Sequence, residues 1–113
     1  MLNKRELGNN KESVAAEFLR KKNYEILHRN FRCRTGEIDI VAKDGEYIVF
    51  CEVKYRSGIG FGFPEEAVDG RKQNKIRRVA QYFLTKYNIN QTLVRFDVIA
   101  ILGNEIKHIR NAF

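Results

Sequence analysis

The sequence has no apolar run long enough to cross a membrane. Its longest are short ones such as "YIVFC" and "VIAIL", against the roughly 20 residues of a spanning helix. Its start, "MLNKRELGNN", has no apolar h-region, so no signal peptide is expected. Cysteine is scarce: Cys33 and Cys51 stand alone, far from any CxxC spacing. That argues against a disulfide framework and a zinc site, and makes a reducing cytoplasm the expected compartment. There is no internal repeat, low-complexity segment or linker in the 113 residues, which suit one compact domain with one core. His28 and His108 are single, and nothing resembles a serine or cysteine triad. The glycine-rich "SGIGFGFP" lacks the strand-to-helix turn and the Gly-Lys-Ser/Thr of a P-loop; a substrate-clamping loop or a plain connection are the readings left for it.

Acids are outnumbered, with 14 against 21 bases, a net charge of +7 and a pI of about 9.6. Such a balance suggests an anionic partner, nucleic acid being the commonest. The acids are also unevenly placed. Eight fall between residues 36 and 69 (Glu37, Asp39, Asp44, Glu46, Glu52, Glu65, Glu66, Asp69), where only Lys43, Lys54 and Arg56 oppose them. Residues 70–96 hold seven bases and no acid. An acidic centre framed by basic segments is the pattern of a metal site approached by a polyanion.

Periodicity supplies the elements. Val14, Ala15, Phe18 and Leu19 recur at helical spacing, predicting a helix over Lys11–Lys22 with Asn23 as its left-handed stop. "YEILHRNFR" reads as a strand. Ile38–Lys43 and Glu46–Tyr55 read as two more around an Asp-Gly turn. "PEEAVDG" suggests one helical turn. Asp69 then suits the N-cap of a second helix over Arg71–Tyr87, whose apolar stripe is Ile76, Val79, Ala80, Phe83, Leu84 and Tyr87. Leu93–Leu102 and "EIKHI" close a second hairpin at Gly103-Asn104. The order α-β-β-β-α-β-β predicts an α/β fold, a mixed sheet with helices packed on it.

Why the best core strand carries charge follows from strand alternation. Phe50, Glu52 and Lys54 share one face, and Val49, Cys51 and Val53 the other. With Asp44-Gly45 as the turn, Asp39 is expected opposite Phe50 and Glu37 opposite Glu52. Asp39, Glu52 and Lys54 then share a face, with Asp39 and Glu52 a diagonal pair. A bare E-x-K reads as a strand-end ion pair; two buried carboxylates that Lys54 cannot both neutralise point instead to a hard divalent cation. Glu37 is expected at the strand's outer end, outside that ligand set. On the first helix Glu12 leans toward the sheet and Glu17 away, although a first-turn Glu also suits the helix dipole. On the second, Lys72 and Gln73 face the sheet at the N-terminus, where backbone N–H groups favour phosphate. Arg71, Lys75 and Arg78 project to solvent. Asp97 shares strand parity with Arg95 and reads as its ion-pair partner.

The assembled motifs "LGNNKESVAAEFL", "FRCRTGEIDIVAKDGEYIVFCEVKYRS", "FGFPEEAVDGRKQNKI", "RFDVIAI" and "HIRNAF" resemble the YraN-like family of bacterial predicted endonucleases, over nearly the whole chain and with matching spacing. That family is similar to the restriction-endonuclease-like, PD-(D/E)xK superfamily and to archaeal Holliday junction resolvases. The resemblance implies a restriction-endonuclease-like fold with a central mixed sheet flanked by helices. It implies a helix Glu, a strand Asp and an E-x-K as the site, which fall here on Glu12, Asp39, Glu52 and Lys54, with Gln73 on the following helix. One departure is visible, Asn23 in place of the family's usual Gly; the Pro-Asp of the superfamily name, whose Pro is often absent, reads Ile38-Asp39 here.

The expected activity is metal-dependent hydrolysis of DNA phosphodiesters, with branched or junction DNA as a candidate substrate. Asp39, Glu52 and the Val53 carbonyl are the expected ligands of Mg2+, with Mn2+ as substitute. Lys72, Arg71, Lys75 and Arg56 are the expected nucleic-acid contacts. Junction cutting takes two active sites, which suits a homodimer. Two other readings compete: a non-catalytic nucleic-acid-binding module on the same fold, and a structural adaptor.

Overall fold

The computed structural model describes residues 4–56 and 69–113, with side chains from Asn10 onward and that of Arg56 excepted. The glycine-rich Ser57–Pro64 stretch and residues 64–68 of the "PEEAVDG" turn lie outside the described residues, as does the Arg56 side chain. The elements run α1 (Lys4–Lys21), β1 (Glu25–Cys33), β2 (Gly36–Asp44), β3 (Tyr47–Arg56), α2 (Gly70–Lys86), β4 (Leu93–Leu102) and β5 (Glu105–Ile109). The five strands form one sheet in chain order. β3 and β4 are parallel, and every other neighbouring pair is antiparallel. The expected α/β fold, a mixed sheet flanked by helices, is thus present and is consistent with a restriction-endonuclease-like fold.

The helix boundaries follow local chemistry. Asn23 takes the left-handed conformation (φ 69°); Asn23 N–H bonds Arg20 O, and Tyr24 N–H reaches back to Leu19 O at 3.0 Å. That pattern closes the last turn of α1 in the way the Asn stop implied. α1 begins seven residues before the predicted start, because "KRELGNN" is helical without an apolar stripe to announce it. Asp69 caps α2, its carboxylate accepting Lys72 N–H at 2.9 Å.

Alternation along β2 and β3 builds two cores. Ile40, Ala42, Val49 and Cys51 pack with Ala15, Ala16 and Leu19 of α1. Val41, Ile48 and Phe50 pack with Ile76, Val79, Ala80 and Phe83 of α2. Successive side chains point to opposite faces, so the helices cover opposite sides of the sheet.

The β2–β3 register differs from expectation by one residue on each strand. Asp44 pairs with Tyr47, Lys43 with Ile48 and Ile40 with Cys51, so the turn residues are Gly45 and Glu46. Asp44 is held as the last strand residue by Arg95 (3.0 Å) and Arg110 (3.5 Å), and Gly45 supplies the positive φ of 58°. The shift preserves facing parity. The pairing ends at Ile40 and Cys51, one residue short of Asp39 and Glu52.

Candidate metal and nuclease site

The sheet opens where the charges gather. Described β2–β3 pairing stops at Ile40 and Cys51, and the Val53 N–H donates to Asp39 Oδ2 at 2.7 Å. Ile38 joins the α2 core while Ile40, two residues on, joins the α1 core, so the regular alternation of β2 is lost at Asp39. That side chain is left 9% exposed between the two helices.

Four elements converge on this opening. From α1, Glu12 brings a carboxylate within 4.8 Å of those of Asp39 and Glu37. From β3, Glu52 is 7% exposed. From α2, Lys72 Nζ lies 2.9 Å from Glu52 Oε1, with Lys54 Nζ 3.8 Å from the same oxygen. The second oxygens of Glu12 and Glu52 are buried and lack a hydrogen-bond partner. Two orphaned carboxylate oxygens in one buried cluster cost several kcal/mol unless something positive meets them. A cleft of about 230 Å³ opens beside them, lined by Glu37, Glu52, Lys72 and Lys75 among others.

Titration reflects the crowding. Burial, then the Glu52 and Glu12 carboxylates, push Asp39 up to about 8 against the pull of the Val53 N–H. Burial and the neighbouring Lys72 ammonium lower Lys54. For Lys72 burial acts downward but is outweighed by its bonds with Lys54 and Glu52, and the net shift is upward. A proton on Asp39 therefore does at neutral pH what a cation could do instead.

Glu12, Asp39, Glu52 and Lys54 are brought together as expected. Three placements differ. Glu37 was expected apart at the strand's outer end; its carboxylate instead joins Glu12 and Asp39 while pairing with Arg32 on the solvent side. Lys72 was expected to meet phosphate and instead bridges to Glu52. The Lys72 and Gln73 backbone N–H groups are taken by the Asp69 carboxylate and carbonyl, so they do not form the open phosphate cradle that the helix N-terminus suggested. Gln73 is half-buried on α2, and Arg71 and Lys75 are exposed.

Outside the site, Arg95 and Asp97 form the expected ion pair, extended by His108, which the sequence left without a role. Hairpin parity carried the signal: Ile99 pairs with His108, which sets His108 on the face of Asp97.

Residues 11–101 match the model of the uncharacterised protein family UPF0102. The chain belongs to the UPF0102 family. A UPF0102 protein of Caldicellulosiruptor saccharolyticus is 50% identical over 118 residues, covering 99% of this chain and 100% of that protein. One of Lachnoclostridium phytofermentans is 49% identical over 113 residues (99% and 96%), and one of Persephonella marina 49% over 106 (94% and 91%). The family resemblance read from the sequence holds at this level. Every candidate catalytic residue lies inside the UPF0102 span, whereas His108 lies beyond it. No helix among the described residues is long and apolar enough to cross a membrane.

The raised Asp39 makes a stability prediction for this UPF0102 protein. An acid with a folded-state value near 8 and an ordinary one of 3.8 contributes stability that is complete below about pH 4 and is lost as pH rises through about 8. Asp39→Asn keeps an acceptor for the Val53 N–H but carries no charge. In urea denaturation with EDTA present, the variant should match wild type near pH 4 and exceed it by about 2–5 kcal/mol at pH 9. Parallel stability curves would mean that the folded-state value of Asp39 is not raised above its ordinary one.

Proposed function

We propose that this protein is a metal-dependent endonuclease that hydrolyses DNA phosphodiester bonds, with branched DNA as its preferred substrate. The observation that carries the reading is the cluster of half-buried Glu12 with buried Asp39 and Glu52, with two orphaned oxygens and Lys54 beside it. A donor set made only of carboxylate oxygen suits a hard cation. Asp39 and Glu52, with the Val53 carbonyl, would hold Mg2+ or Mn2+, which when bound lowers the pKa of water and screens phosphate charge.

The chain's own residues supply the rest. Lys54, its proton loosened by burial and by Lys72, orients the attacking water and offsets charge growing on the phosphate. Glu12, from the opposite helix, positions that water or supports a second cation. Arg71 and Lys75, exposed beside the cleft, hold the phosphate backbone, in keeping with the +7 charge. No base-reading motif is evident, which favours recognition by shape over sequence.

With Mg2+ or Mn2+, the purified protein should cut forked or four-way DNA, and EDTA should stop it. Lys54→Ala should lower the rate by about 10²-fold with DNA binding retained. Salt-sensitive binding without cleavage under any metal would replace this reading with a binding module. Equal cutting by wild type and variant would mark a contaminant.

A further inference from the structure

The basic face of α2 does not end at the candidate site. Arg71, Lys75, Arg78, Tyr82 and Lys86 succeed one another by three or four residues, which puts them on one face of the helix, and all five are exposed. Lys75 lines the cleft with Glu37 and Glu52. Toward the other end of the helix stand two exposed aromatics, Tyr82 at 51% and Tyr87 at 46%. Both lie against the buried Phe31 of β1, with ring centroids 6.0 and 6.4 Å away. The Lys86 ammonium sits 5.9 Å from the Phe31 ring and 5.8 Å from that of Tyr87. Phe31 is 3% exposed, so it backs the two tyrosines and fixes them while their outer parts remain open.

Rigid aromatic rings beside an acid-free row of cations are the two components of a single-strand binding groove. Bases stack on the rings irrespective of sequence, and the cations follow the backbone. A duplex hides its base faces and cannot use the rings. A second copy of this chain would bring the same positive row against itself, whereas a nucleic-acid strand complements it. At 1.5 Å per residue, Tyr82 lies about 10 Å along α2 from Lys75, a span of two or three nucleotides.

We propose that Tyr82 and Tyr87, backed by Phe31 and flanked by Arg78 and Lys86, form a stacking platform for an unpaired nucleic-acid strand whose backbone leads along α2 to the cleft. The route to the cleft rests on the nuclease reading; binding at the platform does not require it. The platform gives a physical basis for a preference for forked substrates, which carry an unpaired arm.

The test is fluorescence anisotropy in EDTA with labelled strands of about 12 nucleotides, DNA and RNA, and the matching DNA duplex. Tyr82→Ala and Tyr87→Ala should each weaken single-strand binding about fivefold or more, and together about 50-fold, with duplex binding changed less than twofold. Tyr82→Phe should bind as wild type. The salt dependence should be unaltered in the tyrosine variants and shallower in Arg78→Gln. The DNA and RNA arms identify which strand the platform takes. Circular dichroism checks that the surface variants keep the fold. Unchanged single-strand affinity, or equal loss on strand and duplex, overturns the proposal. So does a wild-type dimer that Tyr82→Ala turns into a monomer, which would make this face an interface between copies. Strand discrimination without cleavage by any metal would sink the nuclease reading alone. Cleavage with tyrosine-insensitive binding would sink the platform alone.

Discussion

Glu52→Gln is expected to lower metal-dependent cleavage by about 10³-fold or more while leaving a folded protein that still binds DNA. Glu52 is the junction of the site. It is 7% exposed, one oxygen meets both Lys72 and Lys54, and the other is buried without a partner. The amide preserves volume and removes the charge. Lys54 and Lys72 lose their shared counter-ion, and the cleft becomes more positive, so affinity for DNA should hold or rise. Single-turnover cleavage and binding to the same forked DNA separate the two effects, and calorimetric titration with Mn2+ adds a third. Metal affinity weakened with the rate assigns Glu52 as a ligand. Unweakened metal affinity would instead place the cation among Glu12, Glu37 and Asp39, whose carboxylates already approach within 4.8 Å of one another. A rate within tenfold of wild type would remove Glu52 from catalysis.

Much of this site was legible because strand alternation is a rigid rule. The even-numbered turn preserves the expected parity as far as Ile40 and Cys51 despite a wrong choice of turn, and alternation along β3 keeps Glu52 and Lys54 on one face; Asp39 joins them where β2 has lost its alternation. Which two residues form the turn was not legible. Asp-Gly is a strong turn signal, but Asp44 is claimed by Arg95 and Arg110, the nearer of them 51 residues along the chain. A tertiary ion pair overrode a local preference. The same limit hid the loss of alternation at Asp39, since a strand that opens to accept a neighbour's N–H with a side chain keeps the same sequence pattern.

Helix geometry was legible in proportion to its apolar stripe. Asp69 and Asn23 act as caps because capping is local chemistry. The first seven residues of α1 went unread because "KRELGNN" carries no apolar period. Glu12 was placed on the correct flank by counting residues, yet its closeness to Glu37 depends on how α1 sits over β2, which no local rule gives. Lys72 was expected near phosphate on similar grounds. With Asp69 occupying the helix terminus, its ammonium turns to Glu52, the buried anion within reach.

The largest stability loss is expected at Asp97. Its carboxylate is fully buried and receives Arg95 Nε at 2.9 Å, Arg95 Nη2 at 3.0 Å and Asn111 N–H at 3.0 Å. His108 Nε2 lies 2.7 Å away. Lys22 Nζ lies 2.8 Å from His108 Nδ1; an ammonium can only donate, so the ring proton belongs on Nε2, pointing at Asp97. Burial acts upward on Asp97, but His108, Arg95 and the Asn111 N–H outweigh it and hold the carboxyl near 2. Asp39 is buried too, yet it has one N–H donor and three acids around it, Glu12, Glu37 and Glu52, and it stands near 8. The contrast separates a carboxylate ringed by donors from one crowded by other acids. Asp97→Ala leaves Arg95, itself 6% exposed, with its bonds to Asp44 and Tyr24 but without its buried counter-ion, and should cost about 3–5 kcal/mol at pH 7. Asp97→Asn, which keeps an acceptor, should cost less. Because the Asp97 value is depressed, its contribution is present above about pH 4 and is lost as pH falls through about 2. The gap between wild type and Asp97→Asn should therefore narrow in that window, in the opposite direction to the Asp39→Asn gap. Urea denaturation across pH reads both, and a loss under about 1 kcal/mol for Asp97→Ala at pH 7 would show that water reaches and screens the network.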